Sequence, residues 1–200
     1  MLKIDLSGTW YFIQEFENEK EPISIPGDNY TALIKAGKIL HPYEGTNEND
    51  VQWLGKKNWI FYRSFIVEED FLKKRGIFLN IESLDTIAEV YINNHFVCFS
   101  DNMFIRQRID ITDNLFKGEN EINIVFFSSE KIASERAKSL PYEVPYADRI
   151  ITSKHRNLIR KVQCHSGWDW GPCLMVSGIY GDVYIGAVDQ ARIDYVHTSS

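Results

Sequence analysis

The stretch Gln163-Cys164-His165-Ser166-Gly167-Trp168-Asp169-Trp170-Gly171-Pro172 concentrates more chemistry than any other part of the chain. Trp-Asp-Trp sets a carboxylate between two large aromatic faces. That combination suits a sugar: the C–H face of a pyranose packs on an indole, while a carboxylate accepts hydrogen bonds from neighbouring hydroxyls and so fixes orientation. In an extended strand Trp168 and Trp170 would point to one side and Asp169 to the other. Presenting all three to one ligand therefore requires a turn, which Gly167, Gly171 and Pro172 permit. The same residues also admit a structural arrangement, with both indoles in the core and Asp169 paired with an arginine. Local chemistry does not choose between the two.

Other chemistries find little support. Cys164, His165, Cys173 and His155 can be gathered into a ligand list, but their spacing is not that of the paired CxxC or HxxxH patterns that bring zinc ligands together, so no metal is expected. Glu68-Glu69 and the pair Glu119 and Glu121 sit beside turns in polar company and read as solvated charges. The chain has no Gly-rich phosphate loop, no Gly-x-Ser-x-Gly elbow and no basic aromatic stripe, which leaves nucleotide, acyl-transfer and RNA-binding functions without a motif.

The elements that must position the Trp-Asp-Trp stretch are mostly strands. Trp59 to Val67, Gly76 to Ile81, Thr86 to Ile92, Phe96 to Phe99, Phe104 to Ile111, Glu121 to Phe127 and Gly181 to Val188 are rich in β-branched and aromatic residues or alternate in polarity, as strands do. In Thr86 to Ile92, the residues Ala88, Val90 and Ile92 share one face and Glu89 and Tyr91 the other, the period-2 pattern of a half-buried strand. Asn93-Asn94 then tolerates positive φ and predicts a hairpin turn. Helical signal is sparse: Asp28 can cap a short helix ending near Gly37, and Ser129 a second from about Glu130 to Lys138. Strands joined by short turns, without crossover helices, predict an all-β antiparallel sandwich or jelly roll. Pro141 to Gly178 is one long irregular stretch, and loops of that length inside a compact domain are commonly functional.

With 200 residues the chain has the size of one domain. A net charge of −6 argues against nucleic acid or an anionic membrane as partner, since both demand a basic face. No run approaches the roughly 18 apolar residues that span a bilayer. The cysteines, Cys98, Cys164 and Cys173, are odd in number and irregularly spaced, which predicts reduced thiols and a cytoplasmic setting rather than a disulfide framework. Asn29-Tyr30-Thr31 matches a glycosylation sequon and reads as a chance match. Trp10, Trp53 and Trp59 lie in or beside strand runs and are expected to serve core or interdomain packing. Near the end, Ile193, Tyr195 and Val196 resemble the opening of a further strand.

A set of longer words runs through the chain in order. These are LSGTW at Leu6 to Trp10, IPG at Ile25 to Gly27, LIKAGKILHPYEGTNENDVQW at Leu33 to Trp53, LDTIAEVYINN at Leu84 to Asn94, SDNMF at Ser100 to Phe104, RKVQCHSGWDWGP at Arg160 to Pro172 and SGIYGDVYI at Ser177 to Ile185. Together they resemble the N-terminal sugar-binding domain of family 2 glycoside hydrolases, and the Asn-Glu-x-x-Val-x-Trp and Trp-Asp-Trp-Gly-Pro words resemble its β-mannosidase branch. The resemblance implies a galactose-binding-like jelly-roll β-sandwich with one or two short helices over residues 1–188. Residues 189–200 would be a linker or the start of a following immunoglobulin-like domain. It implies that both catalytic glutamates lie on a TIM barrel elsewhere in the parent chain, so none is assigned here, and that a mannoside or oligosaccharide is the substrate, with no cofactor. Trp168, Asp169 and Trp170 match the family's loop that reaches the rim of the barrel pocket. Asn102 in SDNMF is a further candidate, its other reading being a turn residue beside Asp101.

Overall fold

The computed structural model describes residues 2–146, 153–191, 193 and 196–199. In chain order its strands are β1 (Leu2–Asp5), β2 (Gly8–Gln14), β3 (Lys20–Ile25), β4 (Gly27–Asp28), β5 (Trp59–Val67), β6 (Gly76–Asp85), β7 (Ala88–Ile92), β8 (His95–Ser100), β9 (Gln107–Asp110), β10 (Gly118–Phe126) and β11 (Gly178–Val188). The helices are short: α1 (Asn29–Lys35), α2 (Asn47–Asp50), α3 (Glu69–Leu72) and α4 (Ser129–Ser139). One sheet runs β3-β2-β5-β10-β7-β8; the other runs β1-β11-β6-β9, with β4 also paired to β11. The pairings between named strands are antiparallel. The expected sandwich is present.

Alternation explains why the two sheets close on each other. Along β10, Asn120, Ile122, Ile124 and Phe126 are buried while the residues between them are half-covered. In β7 the expected Ala88, Val90 and Ile92 face is fully buried. Phe61 on β5 packs against Phe126 on β10 with ring centroids 4.8 Å apart, and against Phe12 on β2 at 5.7 Å. The facing sheet contributes Ile77, Leu79 and Ile81 from β6 and Val183 and Ile185 from β11, all fully buried. The β7–β8 turn places Asn93 and Asn94 at φ 50° and 66°, the left-handed pair that matches the twist of a two-residue hairpin.

The two predicted helices form, with one shifted cap. The Asp28 side chain accepts from the Thr31 amide at 2.9 Å and caps α1. For α4 the cap is Ser128, not Ser129, because it is the Ser128 hydroxyl that accepts from Lys131 N at 3.2 Å. Trp10 and Trp59 are core residues at 0% and 3% exposure, whereas Trp53 packs on Trp59 at 6.3 Å and leaves its other side to solvent. Asn29 of the sequon is fully buried, which removes it as a glycan acceptor in the folded chain. Tyr195, named above as part of a further strand, lies outside the described residues. Among the described residues no helix is long and apolar enough to cross a membrane.

Candidate functional site

The Trp-Asp-Trp residues sit at the tip of a small hairpin-like excursion. Its base is an antiparallel bridge between Ser166 and Cys173, flanked by a hydrogen bond from Leu174 N to His165 O at 2.9 Å. The Trp168 amide donates to Gly171 O at 3.1 Å, leaving Asp169 and Trp170 at the apex. Gly167 takes φ 85°, a left-handed conformation that a side chain disfavours. The turn that the sequence required is therefore built. Neither indole fills the core: Trp168 is 40% and Trp170 76% exposed. Among the described residues, Arg156 packs on Trp168. The Arg156 guanidinium lies over the Trp168 ring, 5.4 Å from its centroid, and donates to Gly167 O at 2.6 Å.

Two other segments tie into this excursion and form a cleft beside it. Glu48 Oε1 accepts from Cys173 N at 2.6 Å, and Gln52 Nε2 donates to Cys173 O at 2.8 Å, which fastens the segment 41–53 to the excursion. Ser177 and Asn29 exchange hydrogen bonds at 3.0 and 2.9 Å, which fixes the start of α1 against β11. The resulting cleft holds about 610 Å³, and its lining includes Asp28, Tyr43, His165, Trp170 and Tyr180. That volume falls within the range of small-molecule sites. Trp170 lines it; Trp168 and Asp169 do not, and stand on the exposed side of the tip. Burial, with the Asp28 and Asp85 carboxylates adding to it, pushes the Tyr180 phenol above its ordinary range, so its hydroxyl stays neutral and can both donate and accept.

Under the cleft lies a charged cluster that the sequence reading missed. Asp85 at the end of β6 is fully buried, and Lys161 is 2% exposed. Lys161 Nζ donates to Asp85 Oδ1 at 2.5 Å and to Val176 O at 2.8 Å. The Thr86 hydroxyl also donates to Asp85 Oδ1. On the other carboxylate oxygen, His165 Nδ1 approaches Asp85 Oδ2 to 3.3 Å. Burial alone would raise the Asp85 carboxyl, but Lys161 and His165 more than offset this and hold it below the usual carboxylate range. Burial pushes the Lys161 ammonium the opposite way from its partner's pull, to below its ordinary value. The signal available in the sequence was Lys161 itself, a charged residue just upstream of a glycine- and aromatic-rich loop. Its partner, 76 positions away, could not be read.

Asn102 occupies a different place. It forms a parallel bridge with Arg160, and its side-chain oxygen accepts from Phe104 N at 3.0 Å, so the structure shows it as a turn residue outside the cleft lining. His155 packs edge-on against Tyr146 at 5.7 Å. Among the described residues no three potential metal ligands converge.

Residues 10–181 match the family described as glycosyl hydrolase 2 galactose-binding domain-like. The chain is similar to a probable beta-mannosidase of Caenorhabditis elegans, 35% identical over 190 residues that cover 91% of this chain and 21% of that protein. It is also similar to the beta-mannosidase of Mus musculus, 33% identical over 195 residues, 96% of this chain and 22% of that protein. Among solved structures, the beta-D-mannosidase of Dictyoglomus thermophilum superposes with a TM-score of 0.92 at 37% identity, covering 97% of this chain and 23% of that one. A beta-D-glucuronidase from the same organism shares the fold, with a TM-score of 0.58 at 20% identity over 94% of this chain and 28% of that one. The chain spans about a fifth of the length of the curated relatives it matches.

Proposed function

The chain belongs to the glycosyl hydrolase 2 galactose-binding domain-like family, and on that premise we propose that it is the non-catalytic N-terminal domain of a β-mannosidase. The parent enzyme would remove terminal, non-reducing β-D-mannose residues from oligosaccharides. This domain would supply scaffold and one wall of the subsite for the terminal sugar, with Trp168, Asp169 and Trp170 as its substrate-facing residues. The observation that carries the reading is the tip geometry. A 76% exposed indole at a cleft mouth, next to a solvent-facing carboxylate, leaves apolar surface in water unless a ligand or a further part of the protein covers it.

The division of labour follows from the chemistry. A retaining glycosidase needs two carboxylates about 5 to 5.5 Å apart, one as nucleophile and one as acid and then base. Strand ends of a TIM barrel hold such pairs, and we assign them to a barrel that follows immunoglobulin-like domains in the parent chain. Residues 1–188 are then the jelly roll and 189–200 lead into the next domain. Free Cys98, Cys164 and Cys173 support a reducing, cytoplasmic setting. The test is an aryl β-mannoside assay of the full-length parent beside the 200-residue chain. The parent should turn the substrate over. The chain alone should not, and as a single wall it should bind mannosides no tighter than about millimolar. Hydrolysis by the isolated chain, or a parent inactive on β-mannosides but active on another glycoside, would overturn the assignment.

A further inference from the structure

His165 is held from one side and open on the other. Its Nδ1 faces Asp85 Oδ2 at 3.3 Å, and both atoms are shut off from solvent and make no hydrogen bond. Yet the side chain as a whole keeps 26% exposure and lines the 610 Å³ cleft. The exposed part of the ring is therefore not the Nδ1 side. An ionised carboxylate only accepts hydrogen bonds, so Asp85 favours the tautomer with its proton on Nδ1. In that tautomer Nε2 carries no proton and is a hydrogen-bond acceptor. Asp85 itself cannot swing away, because Lys161 and Thr86 hold its other oxygen. An acceptor on a residue that lines a cleft whose mouth carries an exposed indole is matched by a ligand rich in hydroxyl donors.

We propose that His165 is a ligand-contacting residue whose Nε2 accepts a hydrogen bond from a hydroxyl of the glycoside in the cleft, with Asp85 as its positioning residue. This rests on the proposed function and adds a ligand contact from His165 to that of Trp170, which lines the same cleft. The two roles of the ring can be separated by amide substitutions. In His165→Asn the side-chain amide reproduces the Nδ1 donor toward Asp85 and nothing replaces Nε2. In His165→Gln the amide falls near Nε2 and the contact to Asp85 is lost.

The experiment measures kcat/KM on an aryl β-mannoside, and Tm, for the full-length wild type and both variants. His165→Asn should keep its Tm within about 2 °C and lose about tenfold in kcat/KM, the size of one hydroxyl contact left unmade. His165→Gln should lose several degrees of Tm but stay within about threefold of wild-type kcat/KM when assayed well below its transition. Wild-type kinetics in His165→Asn, or equal kinetic losses in the two variants, would overturn the contact and leave only a structural role. A wild type that neither hydrolyses nor binds a β-mannoside refutes the functional reading and takes this contact with it. That result is distinct from an active wild type with an indifferent His165→Asn.

Discussion

Replacing Asp85 by asparagine keeps the shape of the side chain and removes its charge, which isolates what the buried pair contributes. Lys161 Nζ would then face only neutral oxygens, an amide in place of the carboxylate at 2.5 Å and the Val176 carbonyl at 2.8 Å, in a site where both residues are at most 2% exposed. Leaving one member of a buried ion pair without its partner costs about 3 to 5 kcal/mol. For a domain of this size that lowers Tm by about 10 °C. Urea and thermal unfolding of the 200-residue chain, followed by circular dichroism, reads both quantities. The double variant Asp85→Asn/Lys161→Met removes the stranded charge and should recover at least about 2 kcal/mol relative to Asp85→Asn alone. The pH dependence has a fixed sign. Because the folded Asp85 carboxyl lies below its ordinary value, its contribution is fully present above about pH 4 and is lost as pH falls through the lower folded value. The gap between wild type and Asp85→Asn should therefore close on acidification. A loss under about 1 kcal/mol at neutral pH, or a double variant no more stable than Asp85→Asn, would refute the reasoning.

Two further outcomes are expected. Cys173 is 1% exposed, and burial, with Glu130 nearby, pushes its thiol up to about 12; at pH 8 its thiolate is scarce. Iodoacetamide should therefore label it only in urea, and native labelling at the rate of an exposed thiol would contradict its placement. In Gly178→Ala the new Cβ would fall 2.6 Å from the Gly27 carbonyl oxygen and 3.1 Å from Asp28 Cα, both backbone atoms of the paired strand β4. The substitution should cost about 2 kcal/mol or more in urea unfolding, and a wild-type midpoint would show that the β4–β11 approach is looser than described.

The sandwich was legible because its signals are local. The alternation at Ala88, Val90 and Ile92, the Asn93-Asn94 turn and the Asp28 cap each act within a few residues, and each is found in the fold. The strands β1, β2, β3 and β4 escaped prediction. LKID in β1 is short and largely exposed, and Pro22 interrupts the alternation of β3, which is tolerated there because β3 is an edge strand paired only with β2. The Trp168-Asp169-Trp170 tip was visible from residue types alone. What lies beneath it was not. Asp85, Lys161 and His165 meet through β6 and two loop segments, and neither spacing nor composition encodes a contact across 76 positions. The Glu48 and Gln52 contacts to Cys173 were hidden for the same reason.

The central claim is that Asp169 faces substrate rather than supporting the fold, and replacing it by alanine in the full-length protein tests that most directly. Asp169 is exposed at the tip, so Tm should stay within about 1 °C, as for surface substitutions generally. With a charged partner for substrate hydroxyls gone, kcat/KM on an aryl β-mannoside should fall about 100-fold. Unchanged kcat/KM, whatever happens to Tm, would contradict the account and leave the domain a scaffold only.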